Sequence, residues 1–215
     1  NLHFLSGIPR SGSTLLAAIL NQNPATHVST TSGLVNALDG LATTWANGHL
    51  LNTGDPDRES LVRVMRSVIQ SFYEGTDAST VIDKSRGWQT PVIIHSMRTV
   101  LGRDPKIIAT VRSVPECAAS FVRVAKPDDL DDFIYNGQLM DHLKSSYLSL
   151  QEGYQTFPEC FLLVEYDDLI ANPRRELDRV HEFLGLEPFD YSFENVDGES
   201  CLLYTSPSPR DVEES

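Results

Sequence analysis

The sequence predicts an α/β protein, a three-layer sandwich whose central parallel sheet of about four to five strands is flanked by helices. Three observations predict it. Short apolar, β-branched runs recur along the chain, and stretches with apolar residues at helical spacing lie between them. The first run also passes directly into a glycine-bearing turn and then a helix. Strands alternating with helices at this rhythm form a parallel sheet covered on both faces, because right-handed crossovers return each strand to the same edge.

The elements follow in order. Leu2-His3-Phe4-Leu5 is the first strand, and residues 14–21 form the helix after the turn. Residues 58–72 place Leu61, Met65, Val68, Ile69 and Phe72 at helical spacing, so one face packs on the core. Thr80-Val81-Ile82 is a buried strand ending at Asp83, with a helix over 90–101 behind it. Residues 106–111, bounded by Asp104-Pro105, are the third strand. Ser113-Val114-Pro115-Glu116 has the form of a capping box, with proline in the first turn where no N–H is required. It predicts a helix to about Val124. Residues 128–153 are mostly helical, 160–164 are the fourth strand, and 173–184 form a closing helix stopped by Gly185. Ligands on such sheets bind at the carboxyl ends of the strands. Gly7, Asp83, Arg112 and Glu165 fall there.

The bulk numbers agree with one ordinary globular domain, assigned to residues 1–198. The 215 residues are 40% hydrophobic and 22% charged. With no apolar run of about 18 residues, no membrane span is expected. A formal net charge of −13 argues against a broad nucleic-acid surface. It leaves room for a small anionic ligand, and disfavours strongly anionic second substrates. Three cysteines, Cys117, Cys160 and Cys201, have no metal-ligand spacing and are odd in number, so no metal is expected and a reducing, cytoplasmic setting is the simpler reading. The polar, proline-rich stretch at 199–215 is expected to be a disordered, non-native tail, which leaves the domain C-terminally truncated.

The chemistry is carried by Gly7-Ile8-Pro9-Arg10-Ser11-Gly12-Ser13-Thr14. Gly7 and Gly12 bracket four residues, the spacing of a Walker A loop, yet Ser13-Thr14 stands where that loop needs lysine and a hydroxyl. That lysine would reach the outer phosphates of a triphosphate. Here the positive charge sits inside the loop, at Arg10. The turn still suits an anion, because backbone N–H groups and the helix dipole converge on it.

The stretch from Phe4 to Leu16 resembles the 5′-phosphosulfate loop of sulfotransferases that use 3′-phosphoadenosine-5′-phosphosulfate (PAPS), of the arginine-containing bacterial and tyrosylprotein type. The resemblance implies a P-loop-like fold and covers about residues 3–190. It implies that Arg10 stabilises the bridging oxygen, while Pro9, Ser11, Gly12, Ser13 and Thr14 shape the loop and hold the 5′-phosphate. The family's second cofactor element, a strand-end arginine with a serine eight residues on, is matched by Arg112 and Ser120, which would grip the 3′-phosphate. Residues 164–186 look like the family's late strand–helix signature, and no chemistry is assigned to them.

The proton acceptor does not carry over. Cytosolic members place a histidine two residues after a strand-end lysine, and in Asp83-Lys84-Ser85-Arg86 that place is held by Arg86. Golgi-type members use a glutamate after the first helix, where this chain reads His27-Val28-Ser29-Thr30-Thr31-Ser32. Asp83 is therefore the candidate base, with His27 and His95 behind it. Trp45, Trp88 and Tyr135 are aromatic side chains without an assigned role. The reading is an enzyme that sulfonates a hydroxyl or amine on a small molecule, glycan or peptide, releasing 3′,5′-ADP. A small-molecule kinase with an altered loop, or a non-catalytic nucleotide-binding module, are the alternatives.

Overall fold

The computed structural model describes residues 1–50, 57–194 and 196, and for 48–50 the backbone alone. The expected tail therefore lies outside the described residues. Five parallel strands form one sheet in the order β2-β3-β1-β4-β5. They are β1 (Leu2–Gly7), β2 (Thr26–Thr31), β3 (Thr80–Lys84), β4 (Ile107–Val111) and β5 (Phe161–Glu165). Helices α1 (Ser13–Leu20), α8 (Tyr166–Ala171) and α9 (Pro173–Leu184) cover one face. The other face carries α2 (Leu34–Leu50), α3 (Arg58–Phe72), α4 (Pro91–Leu101), α5 (Val114–Ala125), α6 (Leu130–Asn136) and α7 (Gln138–Thr156). The three-layer sandwich expected from the sequence is the fold.

Alternation along the central strands builds the two cores. Phe4, Ile107 and Ala109 face one side, packed with Trp88, Ile94 and Cys117. Leu5, Ile82 and Ile108 face the other, against Leu16, Leu177 and Val180. A strand buried on both faces reads as a continuous apolar run, which is why four of the five were visible in sequence.

β2 was not. It is an edge strand of threonine, serine, histidine and one valine, and only Thr26 and Val28 are buried. The 128–153 stretch divides at Gly137 into α6 and α7. The capping box differs too: the Ser113 hydroxyl donates to the Glu116 carboxylate at 2.6 Å rather than capping a backbone N–H. Among the described residues, no helix is long and apolar enough to cross a membrane.

The strand order places the site. The chain leaves β1 toward β2 and leaves β4 toward β5, so a crevice opens where these neighbours diverge. The β1–α1 loop and the start of α5 border it. Antiparallel α7 begins at this same carboxyl edge and runs back toward the start of β5.

Candidate active site

The β1–α1 turn is fixed by close approach. Gly7 has φ 132°, and a Cβ there would stand 2.3 Å from the Thr110 carbonyl oxygen of β4. The Ile8 N–H donates to that same oxygen at 3.2 Å. Ser11 Oγ is buried 2.6 Å from the Ile8 carbonyl and 2.7 Å from Thr110 Oγ1, so its hydroxyl braces the loop and only its backbone N–H remains for a ligand. Arg10 adopts left-handed backbone, φ 68°, unusual for a residue with a side chain. Gly12, φ 90°, precedes α1 and gives it no side-chain cap. A strand–loop–helix turn without such a cap points its first N–H groups at an anion.

Two further elements close on the loop. Arg10 Nε donates to Ser120 Oγ, two turns into α5, at 3.0 Å. The Tyr166 ring, at the start of α8, packs so closely on Gly12 that a Cβ would fall 2.6 Å from it. Arg112 also packs on that ring, its guanidinium carbon 4.2 Å from the centroid. Arg112 Nε is buried without a hydrogen bond, 3.6 Å from Glu116. A buried guanidinium N–H without an acceptor is a costly state that an anion would relieve. The structure thus brings Arg10, Ser120, Gly12 and Arg112 together, and adds Tyr166, which no spacing rule singles out.

On the β3 side, Lys84 Nζ donates to Thr14 Oγ1 in the first turn of α1 at 3.0 Å. Burial, with the nearby Arg86 charge, holds its ammonium below the usual lysine value. Behind it, Gln89 is fully buried and ties two elements. Its Oε1 accepts from the Gly7 N–H at 3.2 Å and from Ser6 Oγ at 2.9 Å, and its Nε2 donates to the Ser146 carbonyl of α7 at 2.7 Å. The side chain of Arg86, in the 3-10 turn after β3, contacts His142 Nε2 on α7.

Asp83 departs from its expected role. It is 0% exposed, and its carboxylate accepts from Ser32 Oγ at 2.6 Å, Trp88 Nε1 at 2.7 Å and the Tyr73 hydroxyl. A carboxylate closed off by three donors has no path to a substrate proton. It anchors β3 to α2, α3 and the following turn. Burial and this bond push the Tyr73 phenol well above its usual range. Trp88 is a core side chain stacked 4.3 Å from Phe4, and Tyr135 is 79% exposed on α6. His27 is half-buried on β2, and His95 is exposed on α4.

At the opposite, amino edge of the sheet, Asp104, Glu159 and Cys160 bring ligand-type atoms within 4.8 Å of one another. Sequence spacing could not show this, since the residues precede different strands. Arg98 sits among them, 2.7 Å from Asp104 and paired with Glu159.

An α/β protein with an uncapped helix behind a charged glycine loop, and a second arginine at the neighbouring strand end, has the build of an anion-binding α/β fold. Comparison with known proteins narrows the class. The family described as "Sulfotransferase family" matches residues 4–191, and the chain belongs to it. Among curated proteins it is similar to nodulation protein NoeE of Sinorhizobium fredii (strain NBRC 101917 / NGR234), with 28% identity over 94% of this chain and 54% of that protein. The chain thus spans about half the length of that relative.

Two solved structures share its fold. The sulfotransferase domain of the Synechococcus PCC 7002 olefin synthase matches with TM-score 0.60 and 19% identity, over 100% of this chain and 83% of that one. The sulfotransferase domain from the curacin biosynthetic pathway matches with TM-score 0.56 and 19% identity, over 88% of this chain and 74% of that one.

Proposed function

We propose that the chain transfers a sulfonate group from PAPS to a hydroxyl or amine acceptor by in-line displacement. The observation that carries this reading is the 3.0 Å bond from Arg10 to Ser120, which joins the loop to the helix behind Arg112. A site for a 5′-phosphosulfate and one for a 3′-phosphate then become two ends of one crevice. Family membership supports the reaction class.

Sulfuryl transfer builds negative charge on the phosphate oxygen that leaves, so the protein must hold the donor and stabilise that oxygen. The backbone N–H groups of Ser11 to Thr14, with the Ser13 and Thr14 hydroxyls, hold the 5′-phosphate. Pro9 and Gly12 shape the loop. Arg10 faces the bridging oxygen, and Lys84, bonded to Thr14, adds a second positive charge at the same helix end. Arg112 and Ser120 take the 3′-phosphate, and Arg112 turns from a distant carboxylate partner to a bidentate one.

Thermal shift with 3′,5′-ADP, against ATP with Mg²⁺, tests the donor. At a hundred times its dissociation constant, 3′,5′-ADP is expected to add about 2.7 kcal/mol. Stabilisation by ATP and Mg²⁺ alone would establish the kinase reading instead. Binding of 3′,5′-ADP without sulfonate transfer to any acceptor would leave a nucleotide-binding module.

A further inference from the structure

Burial of Asp83 leaves the proposed reaction without a proton acceptor. A base must stand on the acceptor side of the donor, at the carboxyl edge of the sheet, with a lone pair open at neutral pH. Among the described residues, three exposed or half-buried histidines separate cleanly. His27 projects from edge strand β2 with its ring 6.0 Å from that of Tyr73. His95 lies on α4, behind the sheet. His142 lies in the first two turns of α7, which begins at the sheet's carboxyl edge.

Its placement there is braced. Ser146 is one helical turn after His142 and so shares its face of α7. The Ser146 carbonyl accepts from Gln89 Nε2 at 2.7 Å, while Gln89 Oε1 accepts from the Gly7 N–H at 3.2 Å. One buried side chain thus fixes the height of α7 against the mouth of the phosphate loop. Gly153 lets the helix sit this close, since a Cβ there would stand 2.0 Å from the Gln89 carbonyl oxygen. The Arg86 contact then brings the His142 ring to the turn after β3.

We infer that His142 is the general base of the proposed transfer, holding its Nε2 lone pair toward the acceptor with Arg86 as its positioning partner. The inference rests on the sulfotransferase reading above. A guanidinium N–H facing Nε2 keeps the ring proton on Nδ1. When donor and acceptor bind, the acceptor O–H replaces Arg86 on that lone pair, and the guanidinium turns toward the sulfonate oxygens. The acceptor oxygen then bonds to sulfur, its proton passes to Nε2, and the S–O bond to the 5′-phosphate breaks with its electrons on the phosphate oxygen. The products are the sulfate ester and 3′,5′-ADP, and the imidazolium returns its proton to solvent. Burial, then the Arg86 charge, lowers the His142 value from its usual position, which favours the neutral ring.

The test compares His142→Gln with the unaltered protein on three acceptors: 2-phenylethanol, 4-methylphenol and 4-nitrophenol. Loss of a general base is expected to slow transfer to the alcohol and the methylphenol by roughly 10²–10⁴-fold. It should barely affect nitrophenol, which ionises unaided near neutral pH. The acid limb of the unaltered protein's rate profile is expected below the ordinary histidine value, and Arg86→Ala should move it upward. His95→Gln should change nothing. In His142→Gln, 3′,5′-ADP must still stabilise the fold, which separates loss of the base from loss of the donor site.

Equal rates for His142→Gln on all three acceptors, with the acid limb retained, would overturn the assignment. So would an unaltered protein that binds 3′,5′-ADP, sulfonates none of the three, and shows no shift of the His142 ring proton resonance when 4-methylphenol is added. Failure of 3′,5′-ADP to bind removes the donor reading and, with it, this role.

Discussion

The two sides of the carboxyl edge are built differently. The donor side, from β1 through α1 and from β4 into α5, is made of two local stretches shaped by backbone and joined by the Arg10–Ser120 and Ser11–Thr110 contacts. Gly7 and Gly12 use positive φ, and the loop closes through contacts to Thr110. The acceptor side, from the turn after β3 to α7, is made of long-range side-chain contacts. Arg86 and His142 are 56 residues apart, and Gln89 and Ser146 are 57 apart. A backbone cradle tolerates little change. A side-chain wall is open to substitution, except at Gln89, which bonds the cradle and α7 together.

The sharpest break of this contrast is Arg10→Ala. Removing a positioned donor to developing charge is expected to cost about 10²–10³-fold in transfer rate with little change in unfolding temperature. Arg10→Gly should be as slow and slightly more stable, because glycine accepts the left-handed backbone that Arg10 occupies. Rate and melting measurements on both variants separate charge from strain.

Next in size are two glycines. Gly7→Ala drives a Cβ to 2.3 Å from a carbonyl oxygen of β4, an atom that cannot move without the strand. A loss of about 3 kcal/mol or more is expected in chemical denaturation. Gly12→Ala meets the Tyr166 ring instead, at 2.6 Å, and a side chain can rotate away. Its stability loss should be smaller, while 3′,5′-ADP affinity falls because the displaced ring no longer supports Arg112.

Asp83→Ala sharpens the contrast from within. It leaves the Tyr73, Trp88 and Ser32 donors without their acceptor, at a cost of about 3 kcal/mol or more. Folded protein should keep its 3′,5′-ADP affinity. A variant of unchanged stability whose turnover collapses would restore Asp83 as a base.

A pH-dependent effect concerns His3, on β1. Burial, with nearby Arg103, Lys106 and the N-terminus, lowers its value from 6.5 to about 4. The unfolded chain therefore binds a proton that the folded chain refuses. Stability from this residue is full above pH 6.5 and declines as pH falls toward 4, by about 3 kcal/mol in all. His3→Gln should flatten that part of the denaturation profile.

The same contrast explains what could be read from sequence. β1, β3, β4 and β5 are apolar runs because both faces are covered, while β2 hides among threonines and serines at an edge. The loop and the Arg112–Ser120 spacing are local patterns, so their residues could be named. Glu116, read as half of a capping box, serves instead as a partner of both Ser113 and Arg112. Asp83 was misjudged because a strand-end carboxylate looks the same in sequence whether it faces the crevice or the core. Gln89, Tyr166 and His142 act through partners that only the strand order brings near, and no window along the chain contains both members of any such pair.

If one crevice holds both phosphates of a 3′-phosphorylated nucleotide, as proposed, paired ligands will distinguish them. Thermal shifts with 3′,5′-ADP and with adenosine 5′-phosphate, on the unaltered protein and on Arg112→Ala, isolate the 3′-phosphate. 3′,5′-ADP is expected to stabilise the unaltered protein well beyond adenosine 5′-phosphate, and Arg112→Ala to erase most of the difference, about 2 kcal/mol. Equal stabilisation by the two nucleotides in the unaltered protein would contradict it.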